Sequence, residues 1–311
     1  FFSRALADFE VFDAYSKQVG FNGLIGLWHL DESENPVVDA VSGNDQGNHP
    51  GTFGEDGKFG TACGFLQSTN NRLFVPYYPE LDTGAVSISF WIRPTGLFKG
   101  QDATLVGRTG ATSSYKIKTF GLRNDLIGME IRNPGGTFGT GQIGIPGQVL
   151  IDEWNHIAFS YNASTGAITA YCNGEVVGIQ YAATAGPLTS EDGSGLEMMG
   201  SLATGGYVGG LLDEVAIFGR ILADVEVENL YLRGASAVRA QVSVEGGPWT
   251  DADGNVGDDL FIYDTPATLS LGGVFTSFRF RLQLASDDYS LTPLVQGIRV
   301  IKADYPKLGP F

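Results

Sequence analysis

Gly209-Gly210-Leu211-Leu212-Asp213-Glu214-Val215-Ala216-Ile217-Phe218, followed by Gly219-Arg220-Ile221-Leu222, is the stretch whose reading decides the fold. Leu212, Val215, Ile217 and Phe218 are too dense for a half-solvated edge, so the segment reads as a strand covered on both faces. An acidic pair then stands at the mouth of a buried strand. Asp213 and Glu214 are adjacent, and strict alternation would send them to opposite faces.

Outward from this strand the same punctuation repeats. Leu24 to Leu30 runs into Asp31-Glu32, and Val86-Ser87-Ile88-Ser89-Phe90-Trp91-Ile92-Arg93-Pro94 alternates with period two. Further strands are expected at Thr104 to Gly107, Tyr115 to Leu122, Ile127 to Ile131, Ile143 and Glu153 to Tyr161. Ile168 to Val177 contains Asn173-Gly174, a two-residue turn suited to type I′, and predicts a hairpin. Gly 44 and Pro 13 among 311 residues, with few helical windows, make the class all-β.

These motifs together resemble the LamG-like jelly-roll domains of the concanavalin A-like lectin/glucanase superfamily. The carriers are Trp28 with Asp31-Glu32, Asp39 with Ser42-Gly43-Asn44, Trp91, Trp154, and the closing Asp213-Glu214 strand with its Arg220-Ile221-Leu222 ending. Leu66-Gln67 stands where the family usually has Asp-Gly. The resemblance runs from about Leu24 to Gly234 and implies a β-sandwich with a short helix over Leu222 to Leu232. It also implies core roles for Trp28, Trp91 and Trp154.

Two flanking regions lie outside that resemblance. In residues 1–21, Phe2, Ala5, Leu6, Phe9, Phe12 and Ser16 fall near helical spacing, which predicts an amphipathic arm that packs on the jelly roll or docks into a neighbouring subunit. After Gly234 the pattern restarts, with Phe278, Phe280, Leu282 and Leu284 alternating against Arg279, Arg281 and Gln283. The expected domains are the arm 1–21, the jelly roll 22–235 and a small antiparallel β-sandwich 236–311.

Composition narrows function. Lys+Arg 19 against Asp+Glu 35 gives a net charge of −16, which opposes nucleic acid and anionic membrane. No run reaches the roughly 20 apolar residues of a membrane span. Phe1 is not an initiator Met, so residues upstream are left open. Cys63 and Cys172 share parity with inward-facing neighbours and read as two reduced core thiols, with one bridge as the alternative.

Hydrolases sharing this fold place paired carboxylates on one strand as Glu-x-Asp-x-x-Glu or Glu-x-Asp-x-Glu, and no such run exists here. Glu191-Asp192 and Asp287-Asp288 sit in turn-like sequence. His29, His49 and His156 occur singly, without zinc spacing. The expectation is a non-catalytic extracellular or surface-displayed protein that binds a glycan or protein surface. The alternative is a structural subunit of an assembly, such as a phage virion appendage or surface filament, self-assembling through the arm. Glycoside hydrolysis is the disfavoured third reading.

Ligand-facing candidates are Tyr115, Phe138 and Tyr207, with Asn133, Thr137 and Thr204. A structural calcium is implied by the resemblance, held by Asp213 first, then Asp31, Asp39 and the carbonyls around Asn44.

Overall fold

The structure, a computed structural model, describes residues 22–41, 45–47, 50–67, 71–96, 103–108, 114–120, 123–132, 138–141, 149–182, 185–188, 193–201, 206–249, 260–262 and 277–286. In chain order the strands are β1 (Leu24–Trp28), β2 (Val37–Val38), β3 (Asp45–Gly47), β4 (Thr52–Asp56), β5 (Thr61–Phe65), β6 (Leu73–Val75) and β7 (Val86–Pro94). There follow β8 (Thr104–Arg108), β9 (Ser114–Phe120), β10 (Arg123–Arg132), β11 (Phe138–Gly141), β12 (Asn155–Tyr161), β13 (Ala167–Cys172) and β14 (Glu175–Tyr181). β15 (Leu196–Met198) and β16 (Gly210–Phe218) lead to helix α1 (Asp224–Ala235), after which come β17 (Ser236–Val244), β18 (Leu260–Ile262) and β19 (Phe278–Ser286).

Two antiparallel sheets form the sandwich. One has the order β14-β13-β12-β7-β16-β5-β4 with β1 also on β16, and the other has the order β11-β10-β9-β8-β15-β6. Alternate residues of each strand meet between them: Ile88, Phe90, Ile92, Ile157, Phe159, Leu212, Val215 and Ile217 from the first sheet face Tyr115, Ile117, Met129, Ile131, Leu196 and Met198 from the second. Trp28, Cys63 and Cys172 lie in this core, and both cysteines are free thiols. Burial pushes the Cys63 thiol up to about 12 and Cys172 up to about 11, so neither is a thiolate at neutral pH.

The opposite, outer face of the eight-stranded sheet is also covered, as the density of apolar residues in β16 predicts. Leu222 and Val227 from α1 and its approach pack with Leu27, Ala158, Tyr171, Ala216 and Phe218. Polar groups fix the helix start: the Leu222 amide donates to Ser87 Oγ at 3.0 Å, and Ser87 Oγ lies 2.8 Å from Ser160 Oγ. Glu226 reaches back to accept the Ala223 amide at 2.8 Å and grips Arg220 through both carboxylate oxygens, which is half of a capping box with an arginine added. The helix begins two residues later than the resemblance implies, at Asp224, because Leu222 is held by the sheet.

Trp91 organises the middle of this outer layer. It stacks on Tyr231 of α1 with ring centroids 5.9 Å apart, Phe59 meets it edge-on at 6.3 Å, and the Lys58 ammonium sits 4.6 Å from its ring. Gly234 has no side chain for a reason: a Cβ there would lie 2.3 Å from the Trp91 ring. The hairpin turn behaves as the dipeptide predicts, with φ of 49° at Asn173 and 80° at Gly174.

The chain divides into two compact units, Phe1–Gly234 and Ala235–Phe311. In the second, β17 lies between β18 and β19, and these described strands form one three-stranded sheet. Phe280, on the apolar side of the alternation, is exposed, while Trp249 is flanked by the Arg279 and Arg281 guanidiniums at 5.3 and 4.7 Å. Residues 1–21, expected as a helical arm, lie outside the described residues.

Candidate functional site

Strict alternation fails at the acidic pair. Asp213 pairs with Trp91 and Ala216 with Ser89, so β16 carries one residue more than β7 between them. Glu214 takes up the bulge with φ of 49°. The expectation that Asp213 and Glu214 face opposite sides of a regular strand is therefore corrected: both act on one corner. Here β16 also changes partner, from β5 at residues 210–212 to β1 at residues 215–218.

Asp213 is fully buried, and its Oδ2 accepts the Lys58 amide at 2.7 Å and the Phe59 amide at 2.9 Å. Asp31 Oδ1 accepts the Thr61 amide at 2.7 Å. Glu214 pairs with His29 Nδ1. Burial raises the pKa of Asp213 well above the ordinary carboxylate value, with further increases from Glu214 and Asp31. Burial likewise raises Asp31, and Glu214 adds to it. Asp213 Oδ1 and Glu32 Oε2 are buried without a hydrogen-bond partner. The corner is hard-oxygen, acidic and undercompensated, which suits a hard cation. Among the described residues, however, no three His, Cys, Asp or Glu side chains are placed to hold one metal ion. Asp39 is not at hand in the way expected: its Oδ1 accepts the Leu27 amide at 2.8 Å and the Val41 amide at 3.0 Å, bracing the backbone. Asn44 lies outside the described residues.

The outward face of the six-stranded sheet carries a second constellation. Pairing aligns Phe74 with Glu197, Glu197 with Gly107, Gly107 with Lys116, and Lys116 with Glu130, one row crossing five strands. Their sequence neighbours Leu73, Val75, Leu196, Met198, Tyr115, Ile117, Met129 and Ile131 point into the core, so this row points away from it. Glu130 receives Lys116 at 2.9 Å and Lys118 at 3.2 Å, and Arg72 stands 3.6 Å from Glu197. Arg72 also lies over the Phe74 ring at 5.1 Å. These charged side chains are largely buried, so they are held in place and not waving in solvent.

The aromatic candidates land elsewhere. Tyr115 is fully buried, with its hydroxyl donating to the Leu81 carbonyl at 3.2 Å, and Tyr207 is buried too. Both fill the interior because the alternation of β9 and the bridge of Tyr207 to Gly200 turn them inward. Phe138 opens β11, and Asn133, Thr137 and Thr204 lie outside the described residues. The residues passed over were their neighbours. Tyr115-Lys116-Ile117-Lys118 and Met129-Glu130-Ile131-Arg132 alternate with period two, and that pattern alone sends the charges outward.

Comparison with known proteins bears on the fold. No curated protein matches the sequence. Among solved structures, the binding domain of Paraclostridial Mosquitocidal Protein 1 superposes with a TM-score of 0.54 at 17% identity, over 68% of this chain and 52% of that one. Domain 4 of AbnA, an extracellular arabinanase of Geobacillus stearothermophilus solved with arabinotriose, gives 0.52 at 20% identity, over 67% of this chain and 98% of that one. A botulinum neurotoxin type C structure, from work on its interaction with two ganglioside molecules, gives 0.55 at 14%, over 72% and 55%. The chain thus spans about half the length of the toxin chains and nearly all of the arabinanase domain, and at these identities the likeness is one of fold. Residues 67–228, more than half of the chain, match the laminin G family model, and the protein therefore belongs to the concanavalin A-like lectin/glucanases superfamily.

Proposed function

We propose that this is a non-catalytic extracellular binding protein whose jelly roll presents the outer face of its six-stranded sheet to a glycan or a protein surface. The observation that carries this is the row Phe74, Glu197, Gly107, Lys116 and Glu130, which combines an exposed ring with fixed charges on a sheet face. The binding-domain neighbours support it as relatives in fold. A hydrolytic reading is disfavoured by spacing. Glu197 and Glu130 lie three strand steps apart, about 14 Å, whereas glycosidase carboxylates stand roughly 5–9.5 Å apart. A panel of immobilised polysaccharides and cell-surface proteins should yield at least one ligand, and Lys116→Ala or Glu130→Ala should weaken it about tenfold or more, as for charged hydrogen bonds. A blank panel, or full binding by both variants, would overturn the assignment.

The acidic corner is proposed to hold calcium through Asp213 and Asp31, the remaining ligands being main-chain carbonyls. When bound, the ion would supply positive charge between strands far apart in sequence; Asp39 is left to its backbone role. Calcium at about 100 times its dissociation constant stabilises by about 2.7 kcal/mol, so a chelator should lower Tm by several degrees. Asp213→Asn should erase most of that difference, since a neutral amide is a weaker ligand for a hard cation, while Asp192→Asn should preserve it. Identical melting of the unsubstituted protein with calcium and with chelator sinks the metal.

A further inference from the structure

In the second compact unit, β17 and β19 pair with Ser243 opposite Arg279 and Gln241 opposite Arg281, so these four side chains share one face of the sheet. Gln241 and Ser243 are buried, and the two arginines are exposed. Arg281 Nε donates to Gln241 Oε1 at 2.6 Å, its Nη2 donates to the same oxygen, and Arg279 Nη2 donates to Ser243 Oγ at 3.2 Å. The Ser243 hydroxyl donates in turn to the Gly247 carbonyl at 2.7 Å, and the Gly247 amide to the Val244 carbonyl at 2.8 Å. That turn, with Gly246 at φ of 74°, folds the chain back so that the half-buried Trp249 lies against both guanidiniums.

The two cations are held in place without being neutralised. Gln241 and Ser243 offer only uncharged oxygens, and among the described residues neither guanidinium stands within ion-pair distance of a carboxylate. Glu245, on the neighbouring turn, accepts the Ser277 amide at 3.2 Å. Like charges two residues apart on a strand, with Cα atoms about 7 Å apart, repel each other. Packing alone gives no reason to leave such a pair without an acid on a chain of 35 acidic and 19 basic side chains. Beyond the bonds named, Arg279 keeps Nε and Nη1 and Arg281 keeps Nη1 as donors among the described residues. Fixed guanidinium forks beside an indole recognise an anion carried on a ring.

We propose that Trp249, Arg279 and Arg281 form a binding site for an acidic glycan, with the sugar carboxylate on the guanidiniums and the apolar face of the same sugar ring against the indole. A uronate carries both groups on one rigid ring. An acidic peptide brings its carboxylate on a flexible stem with no ring, and the −16 charge opposes a dense polyanion such as nucleic acid. The site is separate from the six-stranded face of the jelly roll and would stand if that face bound nothing.

Calorimetric titration of the full chain with oligogalacturonate tests it. Binding is expected, and Arg279→Gln and Arg281→Gln should each weaken it about tenfold or more, as for charged hydrogen bonds. Arg93→Gln removes the same charge from the jelly roll and should leave the affinity unchanged. Melting curves confirm that each variant is folded. Two further probes separate the halves of the site: methyl-esterified oligogalacturonate keeps the ring without the charge, polyglutamate keeps the charge without the ring, and both should bind at least tenfold more weakly. No binding of oligogalacturonate, or equal binding by the unsubstituted protein and both arginine variants, overturns the site. Equal affinity for the esterified chain overturns recognition of the carboxylate, and equal affinity for polyglutamate assigns the site to acidic protein segments and overturns the glycan.

Discussion

Trp91→Ala is expected to lower the unfolding free energy by about 3–5 kcal/mol, the range for deleting a large buried aromatic side chain. The reason is that this indole serves several elements at once. It belongs to β7, stacks on Tyr231 of α1, meets Phe59 of the loop before β5, and takes the Lys58 ammonium over its face. It also borders His156 at 5.2 Å between ring centroids. Gly234 is backbone at the point of closest approach, so the hole cannot be refilled by a helix side chain shifting inward. For a domain of this size each kcal/mol is worth about 2–4 °C, so Tm should fall by roughly 6–20 °C. Trp91→Phe, keeping an aromatic face, should lose less. Calorimetry showing a fall of one or two degrees for the alanine variant would mean that the outer layer is not cooperative with the sandwich.

Protonation of His156 should make acid less favourable to the folded state than it would otherwise be. The imidazole is buried beneath α1, with Nε2 2.8 Å from Ser89 Oγ, and burial together with the Lys58 charge depresses its pKa from 6.5 to about 3. The folded state thus keeps it neutral while the unfolded chain takes a proton below its ordinary value. Its contribution to stability is fully present above pH 6.5 and is lost as pH falls toward 3. Between pH 7 and pH 4.5 the loss is about 2.7 kcal/mol, two pH units below the unfolded pKa at about 1.36 kcal/mol each. Asp213 and Asp31 act with the opposite sign: their raised pKa values favour the folded state as they protonate, so acid relieves repulsion there. The quantity to measure is therefore the difference between the unsubstituted protein and His156→Gln, each unfolded in urea at the two pH values. The variant stays neutral and should lack about 2.7 kcal/mol of the acid loss. Parallel pH dependences in the two proteins would remove His156 from the account.

The sequence by itself determined whatever depends on neighbours along the chain. Period-two alternation in Val86 to Pro94 assigned Phe90 and Ile92 to one face and Trp91 to the other, and Asn173-Gly174 made its turn because only residues tolerant of positive φ fit there. The parity of Cys63 and Cys172 placed both thiols inside. The double covering of β16 followed from its apolar density. Tertiary structure decided what depends on pairing. The bulge at Glu214 arises because β16 must match β7 while changing from β5 to β1, a constraint held in three other strands and invisible in Asp213-Glu214 itself. Asp39 is engaged by the Leu27 amide, 12 residues away, and this withdrew it from the acidic corner. The charged row joins residues 74, 197, 107, 116 and 130, which become neighbours only when strand order and register are fixed. Alternation can say that Lys116 points outward; only hydrogen-bonded register can say that it meets Glu130.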